Sequence, residues 1–181
     1  QDGAGRVILA KRSDGSYACS VGGVVMSIPR QVGKTFLIGA IVFAMCLLNP
    51  GMRVLWTAHH SDTATETFQS LQGFSRRKKV RPHVAKVLVD AMTIKFVNGS
   101  SIMFGARERG FGRGMTKVGL LVFDEAQILT ERASADMVPT TNTINDALVI
   151  YTGTPPKPSD PSEVFTNRRA EALAGDSDDM A

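Results

Sequence analysis

Ser27-Ile28-Pro29-Arg30-Gln31-Val32-Gly33-Lys34-Thr35 lies between a short β-branched run and a long apolar segment. Before it, Val24-Val25-Met26-Ser27-Ile28 reads as a buried strand that delivers the chain to a loop at Pro29. After it, Thr35 to Leu48 is apolar on nearly every face, as in a helix packed against a sheet, and Asn49-Pro50-Gly51 stops it. Strand, loop and helix with Gly33-Lys34-Thr35 at the junction form the setting of a phosphate-binding loop. Successive backbone N–H groups and the helix N-terminus face the phosphates there, Lys34 reaches the β and γ oxygens, and the Thr35 hydroxyl binds Mg²⁺. Ile28 stands where the pattern has its first glycine, so the match is a variant one, and Pro29 pre-sets the bend. A lone Gly-Lys-Thr arises readily by chance; the flanking elements and a second motif give it weight.

That second motif lies about ninety residues beyond Lys34. Leu120-Leu121-Val122-Phe123 is an apolar strand ending in Asp124-Glu125. Asp124 suits the Mg²⁺ and Glu125 suits a general base that polarises the attacking water. Two acids opening a following helix is the plainer account of such a pair. Both motifs in this order imply a nucleoside triphosphatase, with ATP the expected nucleotide.

The rest of the chain agrees with that class. Arg53 to Ala58 reads as a strand and Asp62 to Phe74 as a helix capped by Ser61 or Asp62. Lys86–Val89, Thr93–Val97 and Ser101–Phe104 read as a small antiparallel excursion, the last two joined by an Asn98-Gly99 turn. Gly119–Phe123 and Ala147–Tyr151 have buried-strand character. The alternation predicts an α/β three-layer sandwich around a mainly parallel sheet, with the strand tips ending at Ile28, Ala58, Phe123 and Tyr151 lining one site. A length of 181 residues with 43% hydrophobic residues suits one domain with a substantial core. Cys19 and Cys46 are far apart without metal-ligand spacing and read as buried thiols. The longest apolar run is too short to span a bilayer, which predicts a soluble protein without a membrane partner. A net charge of +4 permits nucleic-acid contact without requiring it. A start at Gln1 and the acidic stretch from Gly175 read as an excised domain, residues 1–174, followed by the start of a linker at 175–181.

Arginines supply the remaining candidates. Arg30, inside the loop, is placed to reach the γ-phosphate and stabilise transition-state charge. Arg107, Arg109 and Arg113 stand in a glycine-spaced loop, Gly105 to Gly114, just before the Asp124 strand. A finger given to a neighbouring subunit's nucleotide, with Arg113 the favoured residue, competes here with a flexible loop on DNA phosphates. Thr152-Gly153-Thr154-Pro155-Pro156 follows the last strand, where a hydroxyl can bond the γ-phosphate or Glu125, or simply form a turn. His59 and His60 are expected to point apart as polar loop residues. Arg76-Arg77-Lys78-Lys79 with Arg81 is a solvated helix end or a DNA contact.

Taken together, Ser27 to Thr35, Trp56-Thr57-Ala58-His59, Phe104 to Gly110, Val122-Phe123-Asp124-Glu125-Ala126-Gln127 and Thr152 to Pro156 resemble the large terminase subunit of tailed bacteriophages. The likeness covers almost the whole chain. It implies an ATP-driven motor that packages double-stranded DNA through the portal into a capsid. The motor works as a ring of subunits, a pentamer when assembled, with a small terminase subunit as partner in the host cytoplasm. By this resemblance Arg30, Gln31, Val32, Gly33 and Lys34 hold the phosphates, and Thr35 and Asp124 the Mg²⁺. Glu125 activates water, Arg113 is the finger acting in trans, and Thr152, Gly153 and Thr154 couple hydrolysis to movement. Gln1 matches the family's adenine-contacting glutamine, without its preceding Trp. The family's nuclease domain follows the ATPase and is not expected within these residues, so no nuclease activity is expected from them. A helicase-like translocase of related core fold, and a nucleotide-binding assembly module inactive in isolation, are the alternatives.

Overall fold

The computed structural model describes residues 2–20, 22–29, 31–175 and 180. Seven strands form one sheet: β1 (Val24–Ser27), β2 (Arg53–Ala58), β3 (Val84–Leu88), β4 (Thr93–Phe96), β5 (Ser101–Ala106), β6 (Leu120–Phe123) and β7 (Leu148–Gly153). Their order is β1-β7-β6-β2-β5-β4-β3. β1, β7, β6, β2 and β5 run parallel; β4 adds on antiparallel to β5, and β3 antiparallel to β4. The antiparallel segment therefore extends the main sheet, because β5 pairs with β2 on one side and β4 on the other.

The helices are α1 (Asp2–Ile8), α2 (Lys34–Leu48), α3 (Ser61–Ser75), α4 (Glu131–Met137) and α5 (Glu163–Ala174). β6 and β7 are buried at every residue, as strands covered on both faces must be, which is why their sequences read as unbroken apolar runs. One face packs Trp56, Val122 and Ile150 under α2 and α3. The other packs Leu55, Leu121, Phe123 and Tyr151 against Met137 of α4 and Phe165 of α5. Fully burying a side chain such as Phe68 is worth about 1.5–3 kcal/mol, and rings dominate this core. Gly39 lets α2 approach α3 closely, since a Cβ there would collide with Leu71.

The expected strands and the two central helices all form, within a residue or two at their ends. α5 has no apolar periodicity to read, because Phe165 is its only buried residue. The Asn98-Gly99 turn does more than join two strands. Asn98 Nδ2 donates to the Cys46 carbonyl at 2.8 Å and the Ser100 hydroxyl to the same oxygen at 2.7 Å, satisfying the C-terminal end of α2. Gly99 sits at φ 85°, a conformation open to glycine. Cys19 and Cys46 are both buried, and burial pushes the Cys46 thiol up to about 12.

Candidate active site

The cleft lies at the carboxyl ends of the parallel strands, where an open α/β sheet leaves its ligand crevice. It has a volume of about 590 Å³. Pro29, Gln31, Gly33, Lys34 and Thr35 form one wall, Asp124, Glu125, Gln127 and Thr154 the floor, and Thr63, Glu66, Thr67 and Ser70 of α3 the other wall. The tips of β1, β6 and β7 thus converge as expected, while β2 contributes through the helix that follows it.

The variant loop is explained by where its turns fall. Ile28 does not turn at all: its N–H donates to the Gly153 carbonyl at 3.1 Å, continuing the ladder of β1 with β7. Among the described residues of the loop, the left-handed positions are Gln31 at φ 63° and Gly33 at φ 83°. A glycine is therefore not needed at position 28. α2 starts at Lys34 with no acidic residue in its first turn and no side-chain cap, so its N-terminal N–H groups are left for an anion. Arg30 and Gln1 lie outside the described residues.

Lys34 Nζ stands 3.9 Å from Asp124 Oδ1. Burial raises the Asp124 pKa above the ordinary carboxylate range, and the Lys34 charge and the Glu125 N–H act against that shift. Glu125 adopts φ 52° and ψ 44°, a left-handed conformation that costs a residue with a Cβ about 1–2 kcal/mol. Its carboxylate accepts from the His59 N–H and the Thr63 hydroxyl, each at 3.3 Å. The hard oxygens of Thr35 and Asp124 are of the kind that would suit a Mg²⁺.

After β7, the Thr154 N–H donates to Gln127 Oε1 at 3.2 Å. Thr152 is buried at 1% exposure, its hydroxyl without a partner among the described residues. Gln127, from the Asp-Glu-Ala-Gln segment, is a site residue that a motif reading leaves without a role.

The glycine-spaced loop behaves differently from its cleft neighbours. Gly110, Gly112 and Gly114 all have positive φ, at 72°, 88° and 73°. Arg113 is exposed, pairs with Asp136 at 2.7 Å, and does not line the cleft. Arg107 is buried, with hydrogen bonds to oxygens at the tips of β2 and β6. Glu108 turns to α3: it accepts from the Ser61 N–H at 3.2 Å and lies 3.0 Å from His60 Nδ1.

Two local expectations change here. α3 begins after His60 with no side-chain cap of its own, and Glu108 from another loop takes the Ser61 N–H in place of a Ser61 or Asp62 cap. His59 and His60 do not point apart; their rings meet edge-on at 4.3 Å, because the chain leaves β2 and bends before α3. Burial, followed by the charges of His60 and Arg107, lowers the His59 pKa. In the basic run, Arg77 lies over the rings of Phe36 and Phe74, 5.2 and 4.2 Å from their centroids. Among the described residues no helix is long and apolar enough to cross a membrane.

Comparison with solved structures places the fold among phage terminases. The large terminase of bacteriophage HK97 superposes with a TM-score of 0.73 at 15% identity, covering 88% of this chain and 34% of that one. The large terminase ATPase domain of Thermus phage P74-26 gives 0.64 at 18% identity, covering 78% and 62%. A large terminase from a thermophilic bacteriophage gives 0.70 at 12% identity, covering 98% and 43%. The chain thus spans about a third of the length of the HK97 protein. A search of curated proteins finds no match. The model of the terminase large subunit family, T4-like-virus type, N-terminal part, matches residues 25–173. On the strength of that match over most of its length, the chain belongs to the terminase large subunit family.

Proposed function

We propose that this chain is the ATPase motor domain of a phage DNA-packaging terminase, hydrolysing Mg²⁺-ATP to drive double-stranded DNA into a capsid. The observation that carries the reading is the paired carboxylates at the tip of β6. Asp124 faces the lysine of the phosphate loop, and Glu125 is held in a left-handed turn beside it at the floor of the same cleft.

In this reading the α2 N-terminus, Gln31, Val32, Gly33 and Lys34 bind the triphosphate, with Arg30 adding charge from within the loop. Thr35 and Asp124 would hold the Mg²⁺, which would supply positive charge to the triphosphate. Glu125 orients and deprotonates the attacking water, and the His59 N–H and the Thr63 hydroxyl fix the direction of its carboxylate. Thr152, Gly153 and Thr154 sense the γ-phosphate side and pass the change on through Gln127. Gln1, which matches the adenine-contacting glutamine of the family, contacts the adenine. The whole protein's partners are then DNA, further copies in a ring, the portal and the small terminase subunit.

The Arg113–Asp136 pair supports one refinement. With Arg113 held away from its own cleft, a neighbouring subunit supplies the finger, so the isolated domain binds nucleotide but turns it over slowly. Measuring ATPase rate against protein concentration tests this: a per-subunit rate that is high and independent of concentration rules it out. Glu125→Gln in the assembled protein is expected to cut hydrolysis by about 10²–10⁴-fold while nucleotide still binds. Full activity in that variant removes Glu125 as the base.

A further inference from the structure

Arg107 follows β5 and is only 8% exposed, yet among the described residues no carboxylate is paired with it. Its Nη1 donates to the Thr57 carbonyl at 3.0 Å, the Thr57 hydroxyl at 3.1 Å and the Asp124 carbonyl at 2.8 Å. Its Nη2 donates to the Glu125 carbonyl at 3.3 Å. A buried guanidinium spent on main-chain oxygens fixes backbone, and here the backbone belongs to the carboxylate motif.

The two peptide units flanking the Glu125 Cα are each held at more than one point. In the unit before it, the Asp124 oxygen accepts from Arg107 and the Glu125 N–H donates to Asp124 Oδ1 at 2.9 Å. In the unit after it, the Glu125 oxygen accepts from Arg107 and from the Ile128 N–H at 3.1 Å. Relaxing Glu125 from its left-handed φ toward an extended value swings one of these units and breaks a bond to Arg107. The direction in which the side chain leaves the strand tip depends on that φ.

The geometry points to Arg107 as a positioning residue for hydrolysis, clamping both carbonyls around Glu125 so that the carboxylate is aimed into the cleft. This rests on the reading of Glu125 as the base. Arg107 also opens the glycine-spaced loop that carries Arg113, and the Phe111 ring of that loop packs on Gly105 of β5. A shift of the loop on meeting a neighbouring copy therefore reaches Glu125 through one side chain. A lysine at 107 keeps the charge but has no planar fork to hold two carbonyls at once.

The test uses Arg107→Met and Arg107→Lys in the full-length protein, each also combined with Glu125→Gln. The readouts are melting temperature, affinity for a non-hydrolysable ATP analogue and single-turnover hydrolysis. Affinity is expected to stay within about threefold while the hydrolysis rate falls on the order of 10²-fold in Arg107→Met, with part of it recovered in Arg107→Lys. In the Glu125→Gln background the same change is expected to cost no more than about twofold further, because the group being aimed is gone. A parental rate in Arg107→Met with Glu125→Gln inactive overturns the positioning role alone. Equal losses in both backgrounds, or failure of both variants to fold, overturns it in favour of a general structural role. A parental rate in Glu125→Gln instead overturns the base assignment, and the positioning role with it.

Discussion

The Gln127 side chain ties the loop after β6 to the segment after β7, by accepting the Thr154 N–H at 3.2 Å. Gly153 sits inside this contact. A Cβ there would stand 2.7 Å from Gln127 Oε1, 3.0 Å from the Phe165 ring and 3.1 Å from the Gln127 backbone nitrogen. Gly153→Ala is therefore expected to destabilise the fold by about 1–3 kcal/mol through overpacking. The loss should appear as a melting temperature several degrees lower. An unchanged melt would show that Gln127 moves aside freely and that the tie is slack.

Asp124 links stability to pH with a definite sign. Its folded pKa lies above the usual 3.8, chiefly because burial disfavours the charged form. Its favourable contribution is therefore complete below the unfolded value and is lost as pH rises through the raised folded one. At neutral pH, without nucleotide or metal, Asp124→Asn is expected to melt higher by about 2–4 °C, which is what roughly 1 kcal/mol is worth in a domain of this size. The gap should close as the solution is acidified toward pH 4. A variant melting lower than the parent at neutral pH would mean that the attraction to Lys34 outweighs the burial of the carboxylate.

Arg113 offers a separation between stability and activity. Its ion pair with Asp136 joins side chains that are 59% and 38% exposed. Such a pair contributes about 0–1 kcal/mol, so Arg113→Ala should leave the melting temperature nearly unchanged. If the residue acts as a finger in trans, the ATPase of the assembled protein falls by about 10³–10⁵-fold in the same variant. Calorimetry and assembled-state kinetics on one preparation check both halves, and a retained ATPase would return Arg113 to an ordinary surface role.

Gly105 anchors the loop that carries Arg113. The Phe111 ring occupies the space that a Cβ at position 105 would fill, so Gly105→Ala must displace the ring from the sheet. The expected result is a loss of about 1–3 kcal/mol and faster proteolytic cleavage between Arg109 and Gly114. Unaltered cleavage would show that Phe111 does not secure the loop.

Much of the architecture was legible because the signals are local. Val24 to Ile28, Leu120 to Phe123 and Ala147 to Tyr151 announce buried parallel strands through their composition alone. Gly33-Lys34-Thr35 announces the phosphate loop because a helix N-terminus facing an anion needs those residue types in that order. The helix α5 stayed hidden for the opposite reason, with Phe165 its one buried side chain and no period to detect. The cap of α3 was misread because it depends on Glu108 from across the fold, and the His59–His60 pair because the chain bends between β2 and α3 instead of continuing the strand.

The sequence by itself determined the class of fold, the loop built from Gly33, Lys34 and Thr35, and the carboxylates Asp124 and Glu125, because hydrophobic period and backbone demands are written within a few residues. Only the tertiary structure decided the rest. The strand order brings together residues that no local pattern connects: Lys34 against Asp124, Gln127 against Thr154, and Arg107 against the carbonyls of Asp124 and Glu125. An arginine in a basic, glycine-rich loop looks like a surface charge until the packing buries it. What it bonds is backbone, and backbone oxygens carry no mark in a sequence.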